Sequence, residues 1–533
     1  MCGILAVLYS GKGRYSADKI NAGVSKIVAR GPEGTRITEV GNATFGFTRL
    51  AINGLSTAGM QPFQGTGVTW MCNGEIYNSA DIVKKIGYVS KSASDCEVLG
   101  ALWSATENPI AFCRALDGVF CFVLYDQADD TYMIARDPYG VRPLYYAEDR
   151  FYGMVFASER KAVEAVVDEH VKVYEFPPGE VWTIKSGVCV KEVYHTVPWL
   201  KSQGLREEEI RIGIHSSLVA AVDKRLMTER PVAALLSGGL DSSLIAALVQ
   251  KRLTARGLPN LKTFSIGMTG SSDLKHAREV ADWIGSDHHE VVVTADEMFA
   301  AIPDVIRDIE SYDITTVRAS VGNWLIAREV QRQSDCKVVF NGDGSDEVWG
   351  SYLYFFKAPN DYAFEADSGR LLKEMHRYDV LRSDRSISSH GLEARTPFLD
   401  KQFVAAAMAV PTELRRPGKG RIEKNLLRQA FDNGLLPDSV LWRKKEAFSD
   451  GVSTQEKSWF QEIQERVLKV IPDNWQTLAL EFAEPKPKTP EAFYYRSLYE
   501  KLYTKTGDYW PFWMPRWSPE TSDPSARTLS FAP

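Results

Sequence analysis

Residues 232–243, Val232-Ala233-Ala234-Leu235-Leu236-Ser237-Gly238-Gly239-Leu240-Asp241-Ser242-Ser243, set the architecture of this 533-residue chain. Residues 232–236 form an apolar run of strand length, Ser237-Gly238-Gly239 reads as a turn, and 242–253 has helical spacing. The alternation continues downstream. Strands are expected at 263–266, 290–293 and 337–340, and helices at 277–284 and 317–331. Upstream, 207–226 places Ile210, Ile214, Leu218 and Val222 on one helical face. Apolar strands alternating with helices predict an α/β unit, a doubly wound parallel sheet covered on both faces. From about Tyr352 the pattern is mainly helical, a helical C-terminal extension, and 508–533 reads as extended.

The turn also has chemical content. Two glycines let the backbone come close to a ligand. The hydroxyls of Ser237, Ser242 and Ser243, the amides of Gly238 and Gly239 and the helix N-terminus suit a pyrophosphate. Asp241 is placed to reach Mg2+. No lysine follows the glycines, so this is not the Gly-x-x-x-x-Gly-Lys-Ser/Thr loop. An ordinary Ser-Gly-Gly turn is the plain alternative. A second loop, Asn341-Gly342-Asp343-Gly344-Ser345-Asp346-Glu347, follows another expected strand. Its glycines and acids suit a crevice at the carboxyl end of a parallel sheet, with Asp346 sharing Mg2+ with Asp241. The alternative is an acidic surface turn.

Residues 2–195 read differently. Short strands are expected at 4–9, 68–72, 119–125, 131–135 and 152–157, separated by turn residues such as Gly74, Asp117-Gly118 and Asp129-Asp130, with a helix at 97–105. This predicts an α+β domain of mostly antiparallel sheet, 2–195, followed by a second domain, 205–533. Cys2 sits directly after Met1. With Met1 removed, Cys2 carries both a thiol and an α-amine, and an amine with a reference pKa near ~8 can take the thiol proton. That is the chemistry of an N-terminal nucleophile hydrolase; a small buried strand residue is the alternative. Asn73-Gly74 offers an amide and a backbone N–H suited to an oxyanion hole, or else a hairpin turn. Arg49 is suited to clamping a carboxylate and Asp95 to holding an ammonium group, or else to a surface charge and a helix cap.

Composition narrows the class. Apolar residues make up 44% and charged residues 25% of the chain, the balance of a globular protein, and the net charge of −6 gives no pull towards nucleic acid or an anionic membrane. No apolar run approaches the roughly 20 residues that span a bilayer. Residues 1–9 are too short and lack leading charge for a signal peptide. Seven scattered cysteines, at 2, 72, 96, 113, 121, 189 and 336, predict reduced thiols in the cytoplasm, and no Cys-x-x-Cys marks a zinc site. His288 and His289 are adjacent and expected to point apart on a strand.

Cys2-Gly3-Ile4, Arg30-Gly31-Pro32, Arg49-Leu50, Asn73-Gly74-Glu75-Ile76-Tyr77-Asn78 and Ala135-Arg136-Asp137-Pro138-Tyr139-Gly140 together resemble the class II glutamine amidotransferases. The Ser237–Ser243 loop resembles that of the N-type ATP pyrophosphatases. Residues 312–320, 391–400 and 444–451 closely resemble the asparagine synthetases, and the similarity runs over nearly the whole chain. The resemblance implies Cys2 as nucleophile and Asn73 and Gly74 as oxyanion hole. It implies glutamine held by Arg49, Leu50, Ala51, Ile52, Asn53, Asn73, Gly74, Glu75 and Asp95. ATP would meet Leu236, Ser237, Gly238, Gly239, Asp241, Ser242, Ser243, Ile266, Asn341 and Gly342, and Mg2+ would meet Asp241 and Asp346. Arg318 and Lys445 would face the phosphates. The implied substrates are glutamine, aspartate and ATP, ammonia passing through an internal channel, and the implied assembly is a homodimer. The chain departs from the family at Ala29, Thr48, Asn341 and Asp343, the last two standing for the usual Ser and Glu. A β-lactam synthetase is one rival, disfavoured by the intact Cys2 and Asn73-Gly74; a non-catalytic relative is the other.

Overall fold

The computed structural model describes residues 1–518, except 107, 198–200, 203, 419, 447–450 and 455. Among these, the first half contains two six-stranded antiparallel sheets and the second a five-stranded parallel sheet.

Gly3–Tyr9 is central to the first sheet and buried at every position. Its side chains alternate, as a strand requires. Ile4, Ala6 and Leu8 meet Met71, Val123 and Ile134 of the second sheet, forming the layer between the two sheets. Leu5, Val7 and Tyr9 face Val24, Ala162 and Val163, on the helices Ala17–Ser25 and Arg160–Val166. On the far side, the helices Val98–Thr106 and Pro109–Ala115 cover the second sheet. Two sheets between two helical layers fulfil the α+β expectation. One boundary does not hold. The strand expected to stop at Cys72 runs from Val68 to Ile76, so Asn73 and Gly74 lie inside it, opposite Cys121 and Phe120, and form no turn. The glycine is there for close approach: a Cβ on Gly74 would stand 2.1 Å from the Val119 carbonyl oxygen.

The parallel sheet has the order Asp287–Val292, Lys262–Gly267, Val232–Leu235, Val338–Phe340, Glu393–Arg395. The first four were expected within a few residues. The fifth, Glu-Ala-Arg, lies in the stretch expected to be mainly helical, because three residues carrying two charges show no strand pattern; all three are buried. The helices Leu240–Ala255, Ser272–Ile284 and Ile314–Gln333 pack on the sheet. His288 turns to Thr263 and Ser265, whereas His289 stacks on Phe264, so the pair does point apart. Residues 519–533 of the expected extended tail and Ala447 to Asp450 lie outside the described residues.

The halves meet through one apolar and one ionic surface. Leu50, Ile52, Val119, Tyr139 and Val141 join Ile210, Ile214 and Leu218 in a single core. Beside it, the helix Asp379–Ser388 of the second half places Asp384 against Arg30 (2.9 Å) and Arg142 (3.4 Å) of the first. Arg385 reaches Glu159 (3.4 Å) and Glu310 (2.9 Å). The Asp137 carboxylate, accepting from the amides of Tyr139, Val141 and Arg142, shapes the turn that presents Arg142.

Candidate active sites

Cys2 precedes the central strand and lies beside the end of Ala43–Thr48, since Gly3 pairs with Thr48. Its Sγ–H points to the Leu50 carbonyl at 3.6 Å, and its own carbonyl accepts from Arg30 Nε at 3.0 Å. Gly31 is forced by the same crossing: a Cβ there would lie 2.3 Å from Thr48 backbone atoms. Burial pushes the Cys2 thiol up to about 11. The Met1 amine, donating to the Leu392 carbonyl, is lowered by burial to about 5. Asn73 is fully buried, with its Oδ1 lacking a hydrogen-bond partner and its amide nitrogen 3.9 Å from Cys121 Sγ. An unsatisfied buried amide in a core strand is costly.

The groups expected to hold an amino acid lie around this strand. Arg49 donates to the carbonyls of Ser56 (2.8 Å) and Gly54 (2.5 Å), and no described carboxylate forms an ion pair with it. Asp95 starts a short 3-10 turn and accepts from the Ile76 amide at 2.6 Å. Burial raises its carboxyl to about 6. Burial, reinforced by Asp95, also raises Glu75 well above the carboxylate range. Two neighbouring buried acids, both raised by burial, fit an incoming ammonium group. Glu75 does more than expected: it accepts from Asn53 Nδ2 (2.8 Å) and lies 3.4 Å from Arg395 of the other half. Leu50 and Ile52 turn their side chains into the inter-half core. Ala51 contributes an amide, which donates to Glu33.

The second site is a cavity of about 280 Å3 at the carboxyl end of the parallel sheet, lined by both predicted loops. Leu236 and Ile266 form part of its wall; Ser237 Oγ and Ser242 Oγ are 3.0 Å apart across the first loop. Gly238, at φ +70°, passes so close to the helix Ser272–Ile284 that a Cβ would stand 2.5 Å from the Ala277 amide. A Cβ on Gly342 would stand 2.7 Å from the Ser242 amide, so glycine lets the two loops touch. Asp241 opens the helix Leu240–Ala255 and accepts from Ser345 at 2.8 Å. Asp241 and Asp346 do converge. They share the Lys424 ammonium, 2.5 Å from one and 2.7 Å from the other, and Lys445 lies 2.5 Å from the second oxygen of Asp346. Burial pushes the Asp346 carboxyl upward, but Lys424 and Lys445 overrule it and hold it far below the usual range.

Asp343 lies 3.0 Å from Arg382, its other oxygen unpartnered. Burial, with Asp379 and Asp346 nearby, raises its carboxyl to about 6 against the pull of Arg382. Asn341 donates to Ser383 Oγ at 2.7 Å and accepts from the Asp343 amide at 3.3 Å.

Two expected contacts are not on the cavity wall, and a third carries an added partner. Ser243 is buried behind the loop with its hydroxyl unpartnered, and neither it nor Gly238 lines the cavity. Arg318 lines the cavity but does not face it alone. Its guanidinium is clamped by Glu491 at 2.6 and 3.1 Å and stacks on Phe460, because the helix Pro490–Leu502 packs beside Ile314–Gln333. Lys424 and Arg382 were missed: each is one of several cations in a segment with no motif, and only the fold brings it to the loops.

Known proteins show the same two-part organisation. The glutamine amidotransferase domain family matches residues 1–200, and the asparagine synthase family matches 213–371 and 361–526. The asparagine synthetase [glutamine-hydrolyzing] of Cricetulus griseus is 41% identical over 563 residues, covering 99% of each chain. That of Gallus gallus is 41% identical over 568 residues, covering 99% of this chain and 98% of its own. Among solved structures, the B. subtilis glutamine phosphoribosylpyrophosphate amidotransferase complexed with ADP and GMP aligns with 48% of this chain and 65% of its own, at 19% identity and a TM-score of 0.32. With both family matches on the two halves and near-complete coverage by the relatives, the chain belongs to the glutamine-hydrolysing asparagine synthetase family.

Proposed function

We propose that the chain is a glutamine-dependent asparagine synthetase, releasing ammonia from glutamine in its first half and using ATP to amidate aspartate in its second. The observation carrying this reading is the convergence of Asp241 and Asp346 on one cation position, in a cavity lined by the Ser237–Ser242 and Asn341–Asp346 loops.

With Met1 removed, the Cys2 α-amine takes the thiol proton and the thiolate attacks the glutamine amide carbon. Asn73 and Gly74 stabilise the oxyanion. Arg49 holds the substrate carboxylate, and Asp95 with Glu75 its ammonium group. Water then cleaves the thioester. In the cavity, the aspartate β-carboxylate attacks the α-phosphorus of ATP and expels pyrophosphate, giving β-aspartyl-AMP, since a free carboxylate does not accept ammonia. Lys445 and Arg318 face the developing negative charge, Arg318 as one side of its pair with Glu491. Asp343, with one oxygen unpartnered, is the group closest in role to the family's glutamate. Ammonia then displaces AMP.

Mg2+ belongs to the proposal. The carboxylates of Asp241 and Asp346 fit it, being hard oxygen donors already drawn onto one cation. When bound, it neutralises phosphate charge. A cytoplasmic setting suits the seven free cysteines, and no helix among the described residues is long and apolar enough to cross a membrane. A homodimer completes the reading, to be checked by sedimentation.

The test is product identification by mass with aspartate, ATP and glutamine, AMP counted alongside. Asparagine and AMP should form together; ADP as the nucleotide product refutes the loop assignment. Cys2→Ala should abolish glutamine-dependent synthesis and keep synthesis from ammonia, and intact-mass measurement of active enzyme should find Met1 absent.

A further inference from the structure

Lys424 differs from the other cations of the cavity. Among the described carboxylates Lys445 pairs with Asp346 alone, whereas the Lys424 ammonium bridges Asp241 Oδ2 and Asp346 Oδ1, which come from loops after two separate strands. It is 3% exposed. Its backbone is left-handed, φ 56° and ψ 26°, ahead of the helix Asn425–Ala430. A residue with a Cβ adopts that conformation at a cost, and such strain gathers where a side chain must be aimed. Its ammonium stands between two carboxylates, the geometry of a charge-assisted pair on either side.

We infer that the Lys424 ammonium occupies the cation position between Asp241 and Asp346 in the nucleotide-free enzyme, and gives it up to Mg2+ only when the metal arrives with ATP. This rests on the assignment of Asp241 and Asp346 to the metal under the proposed function. Without a cation, two half-buried carboxylates facing one another would repel and carry a desolvation cost. The lysine removes both penalties and keeps the two loops in register. The formal charges of Asp241, Asp346, Lys424 and Lys445 sum to zero. A bare divalent ion therefore meets a neutral site whose central position is filled by a like charge. The nucleotide changes this, because its phosphates offer the displaced ammonium a new anion within reach of a flexible four-carbon stem. Lys424 is thus a positioning residue, acting through the carboxylates, and it couples metal entry to nucleotide entry.

The probe is Mn2+, titrated into the nucleotide-free full chain and followed by the electron paramagnetic resonance of the free ion. Lys424→Met and Lys424→Gln should each bind Mn2+ at least about tenfold more tightly than the unaltered enzyme, since the competing charge is gone. Their melting temperatures should also rise with added Mn2+ more than that of the unaltered enzyme. If a variant folds only with metal, the growth of its folded fraction with Mn2+ reads the same gain. Adding Asp241→Asn should remove the gain. Folded variants that bind no more tightly overturn the lysine's role and leave Asp241 as a ligand. A gain that survives Asp241→Asn overturns both.

Discussion

Asn341 and Asp343 behave as a unit. Asn341 spans from Ser383 to the Asp343 amide, and Asp343 is tied to Arg382. A longer acid at 343 therefore meets a loop already closed around the shorter one. Asp343→Glu should slow synthesis by one to two powers of ten, for an overpacking cost of about 1–3 kcal/mol. Asn341→Ser in the same chain should restore part of that loss. Strictly additive effects on synthetase turnover would show no coupling. Arg382 gives a second handle. It opposes the burial that raises the Asp343 carboxyl to about 6. Removing it in Arg382→Gln should raise that carboxyl further, so the acid limb of the ammonia-supported pH profile should move to higher pH. An unmoved limb would take Asp343 out of the rate. At this scale, the loops carrying Asp241 and Asp346 were legible because each is a glycine-bearing turn directly after an apolar strand. Lys424 and Arg382 were not, because their partners lie 183 and 39 residues away.

Among the elements, the helix Asp379–Ser388 departs furthest from its hydropathy. Its sequence, DVLRSDRSIS, suggests a surface helix, yet nine of its residues, from Val380 to Ser388, are buried. Its Asp384 and Arg385 find partners in the other half instead of in water. Asp384→Ala would leave Arg30 and Arg142 buried with less compensation, a loss of about 3–5 kcal/mol, readable as a lower urea midpoint. Glu159 on the same surface adds an acid limit. Burial alone would raise it, but Lys161, Arg385 and Arg30 hold it at about 2. Its stabilising contribution is thus complete above the ordinary glutamate range and lost as pH falls towards 2. Strands and helices with clear periods were legible. Glu393–Arg395 and Asp379–Ser388 were not, since their burial is decided by partners that no local period encodes.

At the scale of the whole molecule, the sequence predicts two domains, and the interface between the two halves keeps them together. Arg395 of the edge strand reaches Glu75 near Cys2, Arg30 reaches Asp384, and an apolar core passes from Leu50 to Leu218. Even the connecting chain is gripped: Lys201 donates to Glu365 and to the Met408 and Val410 carbonyls, and the Ser202 amide to the Ala409 carbonyl. Covalent continuity is therefore redundant. A protease site inserted between Gly204 and Leu205 and then cut should give a nicked enzyme that elutes as one particle in low salt and still makes its product. Each fragment expressed alone would bare Arg30, Arg142 and Asp384 to solvent and should be poorly soluble. The two halves are thus held by a non-covalent seam, and cohesion does not depend on the peptide link between them.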